Sequence, residues 1–290
     1  MPSKQTRQKK SKQSAKKPKT LNSIKLLGKS FKITFSNWKL FGPVLILYYV
    51  LSLMLVKGFN DPLSTSQVKS FLHESNSSAL NNLSLYGSVT NPSSNPGSGV
   101  YETVLLILFS LFFIWLFRQL LTKAKPKLRD VFYSSSYPLI PFLLIGFLIA
   151  LELLPALIGV YLFNSVFGGG IAPHLYEKII WIGACLLLIS LTAYWLSSSL
   201  VALYIVTVPD TRPIQALKSA KQLIKGRRSV VIRRVIFLPV ALTILVVAIT
   251  IVFALIVPSL AGWLLYLQIS IAVAIANGYL YMLYRELLNE

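Results

Sequence analysis

Six apolar runs, each close to the length that crosses a lipid bilayer, dominate this 290-residue chain. Crossing the ~30 Å hydrocarbon core takes about 20 residues at 1.5 Å of rise each. The runs fall at approximately 40–57, 101–121, 138–162, 179–207, 235–257 and 260–283. In hydrocarbon the backbone N–H and C=O groups must find partners within the segment, which leaves helix as the conformation of a lone span. The chain is therefore predicted to be all-α: a polytopic membrane helix bundle with six transmembrane helices and amphipathic helices at the cytoplasmic interface. The first run is the shortest, and Pro43 in its first turn suits a helix start. The fourth is the longest and must tilt or project from the bilayer.

Composition points the same way. Charged residues make up 13% of the chain and hydrophobic ones 54%, with mean hydropathy +0.65, whereas soluble domains carry about 25% charged residues. Lys and Arg outnumber Asp and Glu by 29 to 9, a net charge of +20, which calls for an anionic partner. Position decides which partner. The first 39 residues hold twelve Lys or Arg, residues 118–137 five, 208–234 eight and the C-terminal tail one, 26 in all; the alternate segments hold only Lys57, Lys69 and Lys178. Positive charge gathers in cytoplasmic segments, so both termini are predicted to be cytoplasmic, in the cytoplasmic (plasma) membrane. Trp38, Tyr133, Tyr137, Tyr281 and Tyr284 fall at inner ends of the runs and Tyr101, Trp181 and Trp263 at outer ends, where amphipathic rings prefer to sit.

Residues 1–20 carry eight cations, no acid and almost no apolar side chain, and read as a disordered basic tail. Residues 21–39 place Ile24, Leu27, Phe31, Phe35 and Trp38 at spacings of three and four, with Lys25, Lys29, Lys32 and Lys39 on other faces. That pattern predicts an amphipathic helix lying flat on the inner leaflet. The membrane domain then runs from 40 to 290, with a Ser- and Asn-rich outer loop at 58–99 and an inner amphipathic helix at 213–225. For that helix Asp210 or Thr211 is the predicted cap, Pro213 the opening residue and Gly226 the stop. Its apolar stripe is Ile214, Leu217, Leu223 and Ile224, beside Lys218, Lys221, Lys225, Arg227 and Arg228. These lysines and arginines, with the four of 21–39, are the expected contacts to anionic lipid headgroups, each worth about 1 kcal/mol near such a surface.

Signatures of catalysis are sparse. His73 and His174 fall in outer segments without metal-ligand spacing, and no phosphate-binding or nucleophile-elbow motif is present. No enzyme activity, metal or cofactor is expected. The lone Cys185 lies in an apolar run and reads as a packed residue. Glu152 falls near the centre of the third run, where a carboxylate costs several kcal/mol unless paired, hydrated or protonated. With Gln268 and Asn277 it forms a candidate midplane polar site. Ser270, Ala274 and Gly278 stand at steps of four, a ridge of small residues that permits close helix packing.

The stretch VTVPDTRPIQALKSAKQLIKGRR, the two apolar runs after it and the closing YLYMLYRELL resemble the membrane domain that accompanies some glycerophosphodiester phosphodiesterases and its stand-alone multi-helix membrane relatives. The matching residues are Pro213, Ile214, Ala216, Leu217, Leu223, Gly226, Arg227, Tyr284 and Arg285, and LRDVFYSSSYPLIPFLL at Leu128 to Leu144 is similar in a looser way. The resemblance spans the chain from about Leu128 onward and implies the helical architecture. It does not bring the phosphodiesterase activity, which needs a soluble barrel rich in acids and histidines.

The leading expectation is a non-enzymatic scaffold, assembly or lipid-associating membrane component, with anionic lipid as partner and a second membrane protein as a further one. Nucleic acid is disfavoured, because no aromatic residues interleave the basic tail to stack bases. The alternative is a transporter or permease component using Glu152 in a midplane path.

Overall fold

The computed structural model describes residues 22–57, 98–122, 128–168, 174–208 and 211–288. The basic tail at 1–20, nearly all of the outer loop of 58–99, and Asp210 lie outside these ranges. The described residues are all-helical and form nine helices. These are α1 (Ser23–Ser36), α2 (Trp38–Ser52, followed by a π-helical turn at Leu53–Lys57), α3 (Ser98–Leu121), α4 (Leu128–Ser135) and α5 (Leu139–Gly168). After them come α6 (Leu175–Ile205), α7 (Pro213–Leu223), α8 (Arg228–Ile256) and α9 (Pro258–Leu288). Six of them, α2, α3, α5, α6, α8 and α9, are long and apolar enough to cross a membrane, and each coincides with one of the six runs.

Two boundaries differ from the sequence reading. The fifth span helix starts at Arg228 rather than at 235, because nothing between them breaks a helix and each added residue gains a backbone hydrogen bond. Arg233 and Arg234 therefore sit on α8 itself. The predicted surface helix of 21–39 stops at Ser36, and Trp38 and Lys39 open the first span. Asn37 makes the break: its side-chain Nδ2 donates to the Ile33 carbonyl at 2.9 Å, closing α1, and its own carbonyl accepts from Leu40 and Phe41, opening α2.

Helix α1 meets the rest of the protein on a face that its apolar spacing does not mark. Leu26, Ser30 and Thr34, one per turn, are its buried residues, packed chiefly against α9. The Ser30 hydroxyl donates to the Ile275 carbonyl at 2.9 Å, and Thr34 satisfies its own hydroxyl on the Ser30 carbonyl at 3.0 Å. Ile24, Phe35 and Trp38 are exposed. Phe31, Phe35 and Trp38 stack in a row with ring centroids 6.1 and 5.9 Å apart. The small polar face holds the protein and the aromatic face looks outward.

Helix α9 packs against α1, α2, α3, α6 and α8. Around it α2 and α3 interlock through Phe41, Tyr48, Phe109, Phe113 and Phe117, with Phe41 and Phe117 centroids 5.0 Å apart and Tyr48 and Phe109 4.9 Å apart. In their most apolar stretches, 39% of α2, 50% of α3 and 44% of α9 is buried, against 11% in each of α5, α6 and α8. So three helices form the interior and three present apolar sides outward, the arrangement of a bundle whose solvent is lipid. Helices α5 and α6 pair along their length as a hairpin, with Gly159 against Leu188 and Cys185.

The small-residue ridge of α9 lies where α1 and α3 come closest. Ser270 and Ala274 are buried, and a Cβ at Gly278 would overlap the Phe117 ring and sit 2.5 Å from Ser30 Oγ. Helix propensity alone favours any side chain over glycine by up to ~1 kcal/mol, but Phe117 is fully buried and has nowhere to go. Gly278→Val is expected to lower stability by ~2 kcal/mol or more, read as a fall in thermal midpoint of the purified protein in detergent. Gly146→Ala, where a Cβ meets nothing within 4 Å, is expected to hold or raise the midpoint.

Candidate functional site

Two sets of cations stand out by their surroundings, while Arg129, Arg212 and Arg233 are exposed like the lysines. The lysines face outward: Lys25, Lys29 and Lys32 on α1, Lys39 at the start of α2, and Lys218, Lys221 and Lys225 on and just after α7 are all exposed. Helix α7 earns its orientation from a small-residue face. Ala216, Ala220 and Ile224 are buried against α6, Leu217 and Leu223 are half-buried, and Ile214 is 69% exposed. Of the predicted stripe, Ile224, Leu217 and Leu223 face the protein and Ile214 does not, while Ala216 and Ala220 join the contact.

The ends of α7 follow the sequence in part. Pro213 opens it as predicted, and Gly226 adopts φ +80 after it, a left-handed conformation that glycine takes without penalty. Thr211 does not cap it. Its hydroxyl donates instead toward the carbonyls of Ile205, Val206 and Val208 at 3.2, 3.3 and 2.6 Å, closing α6. Arg228 lies 4.0 Å above the Tyr194 ring of α6, a cation–π contact that ties α8 to the hairpin.

Three further arginines serve helix ends. A helix leaves its last carbonyls unpaired and its C-terminus partly negative. Arg285 Nη1 donates to the Leu121 carbonyl, the last of α3, at 3.3 Å. Arg118 Nη1 donates to the Thr207 carbonyl just beyond α6 at 3.2 Å. Arg234 meets Glu286 in the last turn of α9 through two N–H···O contacts of 3.0 and 3.4 Å, with the Arg234 side chain 5% exposed and that of Glu286 12%. The Tyr279 hydroxyl adds a bond to the Arg234 carbonyl at 3.1 Å. The ends of α3, α6 and α9 and the start of α8 are thereby joined at one end of the bundle. Sequence reasoning counted Arg118 and Arg234 as topology signals and Arg285 also as a residue of the family resemblance; the available clue was that Glu286 and Glu290 are the only acids after Asp210.

Within the spans, the three candidate midplane residues each have their own partners on different helices. Glu152 of α5 accepts from the Ser199 hydroxyl of α6 at 2.7 Å. Asn277 of α9 donates to Ser110 of α3 at 3.3 Å and to the Val273 carbonyl at 2.9 Å, and accepts from Tyr204 at 3.4 Å. Gln268 accepts from Thr250 of α8 at 3.4 Å. Among the described residues no hydrogen bond links any of the three to another, so they are interhelical ties at separate places rather than one site. Glu152 Oε2, Thr192 Oγ1 and Gln268 Nε2 are buried without a hydrogen-bond partner among the described residues. His174, the described one of the two histidines, begins α6: its backbone N–H reaches the Glu177 carboxylate at 3.5 Å, and its ring stacks on Tyr176 at 5.4 Å.

Fold and basic end together define a multi-pass α-helical membrane protein. Searches against models of protein families, against curated proteins and against solved structures find no match to the chain. The resemblance of its C-terminal part to the phosphodiesterase-associated membrane domain therefore rests on the residues quoted for it.

Two outcomes follow from these contacts. Glu286→Ala removes the two-pronged acceptor of a buried guanidinium and is expected to cost ~3 kcal/mol, while the paired change of Arg234→Met with Glu286→Leu recovers most of it; chemical denaturation in mixed micelles measures both. Ser199→Ala is expected to cost about 1 kcal/mol in the native background and nearly nothing once Glu152 is leucine, since the tie is then already gone. The double-mutant cycle reads this coupling.

Proposed function

We propose that this is a non-enzymatic protein of the cytoplasmic membrane, with both termini on the cytoplasmic side, that acts as a scaffold or assembly component and associates with anionic lipid through its basic end. The observation that carries the reading is the outward set of seven lysines on α1, α2 and α7, beside arginines engaged in holding helices together. Lysine is a compact, strongly hydrated charge on a long flexible stem, suited to headgroups that vary in position, whereas the planar guanidinium suits fixed partners. The stacked row of half-buried Phe31 and exposed Phe35 and Trp38 supports the same reading, because an aromatic face beside lysines suits insertion at the headgroup level. The outward apolar sides of α5 and α6 offer area for a membrane-protein partner as well as for lipid.

A transporter or permease component is the second reading. It draws on the buried Glu152 Oε2 and Thr192 hydroxyl of the peripheral hairpin, and it is the weaker one because Gln268 and Asn277 do not converge on them. Under it, Glu152→Gln abolishes a proton-coupled flux in reconstituted vesicles; under the scaffold reading the same change leaves the protein's lipid and partner association intact.

The lipid part is tested by flotation of peptides spanning 21–39 and 211–228 with vesicles. Each cation is expected to strengthen binding to vesicles rich in phosphatidylglycerol roughly fivefold over neutral ones, and the preference shrinks in high salt. Equal binding to neutral vesicles contradicts the electrostatic part of the proposal.

A further inference from the structure

A cavity of about 510 Å³ opens at the basic end between α3, α4 and the residues that follow α6, within the ~300–1,000 Å³ range of small-ligand sites. Its α3 wall is formed by Leu111, Ile114, Trp115, Arg118 and Gln119, spaced three and four apart and hence on one helix face. Along roughly 12 Å of rise from Leu111 to Gln119, that wall passes from aliphatic to indole to guanidinium and amide. Ser134 and the exposed Tyr133 and Tyr137 stand on the opposite rim.

The chemistry of the two ends selects the ligand. Arg118 uses Nη1 for the Thr207 carbonyl, and a guanidinium carries five N–H donors in all, so donors remain for an anion beside the cavity. Among the described residues none that lines the cavity is acidic. Leu111 and Ile114 are buried at its base, and the apolar surface left open, on Trp115 and Pro138, has no use for a small soluble anion. A molecule with a phosphate at one end and hydrocarbon at the other matches both, and the tyrosines mark the level at which headgroups lie.

We propose that this cavity is a binding site for one anionic glycerophospholipid, its phosphate on Arg118 and Gln119 and its upper acyl carbons along Trp115 and Pro138. The inference deepens the proposed function and rests on the reading that the basic end faces anionic lipid; it adds a single stoichiometric site to the diffuse attraction of the lysines.

The full chain, purified in mild detergent and titrated with phosphatidylglycerol, is read by native mass spectrometry. One retained lipid is expected, with phosphatidylcholine held roughly tenfold more weakly and Arg118→Gln costing a similar factor, the loss of a charge-assisted hydrogen bond. Arg118→Gln also loosens the end of α6, so Ser134→Trp, which fills the mouth and leaves the bond to Thr207 in place, is expected to lose the lipid independently. Changing Lys218, Lys221 and Lys225 to Gln should leave this lipid bound while weakening vesicle attraction of the surface. Retention that persists in Ser134→Trp, equal retention of phosphatidylcholine, or full displacement by millimolar inorganic phosphate would overturn the site. An unchanged protein that shows no preference for anionic vesicles, with the single lipid still retained, would instead count against the surface reading alone.

Discussion

Everything else in this bundle is arranged around the absence of a side chain at Gly278. There Ser30 of α1 and Phe117 of α3 meet α9 at distances that admit no Cβ. Lipid supplies no hydrophobic drive for helices to associate, so close packing and a few hydrogen bonds must do it. Ser270, Ala274 and Gly278 let α9 approach its neighbours, the Ser30 bond to Ile275 fixes the depth of α1, and the aromatic cluster of α2 and α3 fills the space beside them. Helices α5, α6 and α8 turn most of their surface outward.

The same economy governs charge. At the basic end an arginine reaches the end of each of the three helices that terminate there: Arg285 to α3, Arg118 to α6, and Arg234 to Glu286 in the last turn of α9. Each closes a negative helix end with a positive group from another helix, so charge serves as an interhelical tie where hydrocarbon could not. The lysines of α1, α2 and α7 remain outside this set. A count of cations merges these arginines, which tie helices together, with the lysines and with the exposed Arg129, Arg212 and Arg233.

How much of this could be read from the sequence varies with the range of the interaction. The six spans were legible because length and hydropathy are local properties that the bilayer fixes directly. Pro213 and Gly226 were legible for the same reason, since each restricts its own backbone. The ridge of small residues on α9 was visible as a spacing, but not its partners: Ser30 and Ile275 are 245 residues apart. On α1 the apolar residues marked the outward face but not the one that holds the protein, because Ser30 and Thr34 look polar until an acceptor and a buried neighbour are supplied. Thr211 likewise fits a cap for the helix ahead of it, and only the fold of the turn shows that the carbonyls behind it are nearer. Glu152, Gln268 and Asn277 each have their own hydrogen-bond partners, since position along a helix says nothing about which neighbour it faces.

The central claim is that the basic end lies in the cytoplasm, with lysines toward the inner leaflet. It is tested most directly by single-cysteine labelling in intact cells, after Cys185, the free cysteine of α6, is changed to alanine. A cysteine at Ala79, in the outer loop, is predicted to react with a membrane-impermeant maleimide in intact cells, and one at Ser219, on the exposed side of α7, only after permeabilisation. Labelling of the Ser219→Cys protein in intact cells, or protection of the Ala79→Cys protein until the membrane is opened, would contradict the account.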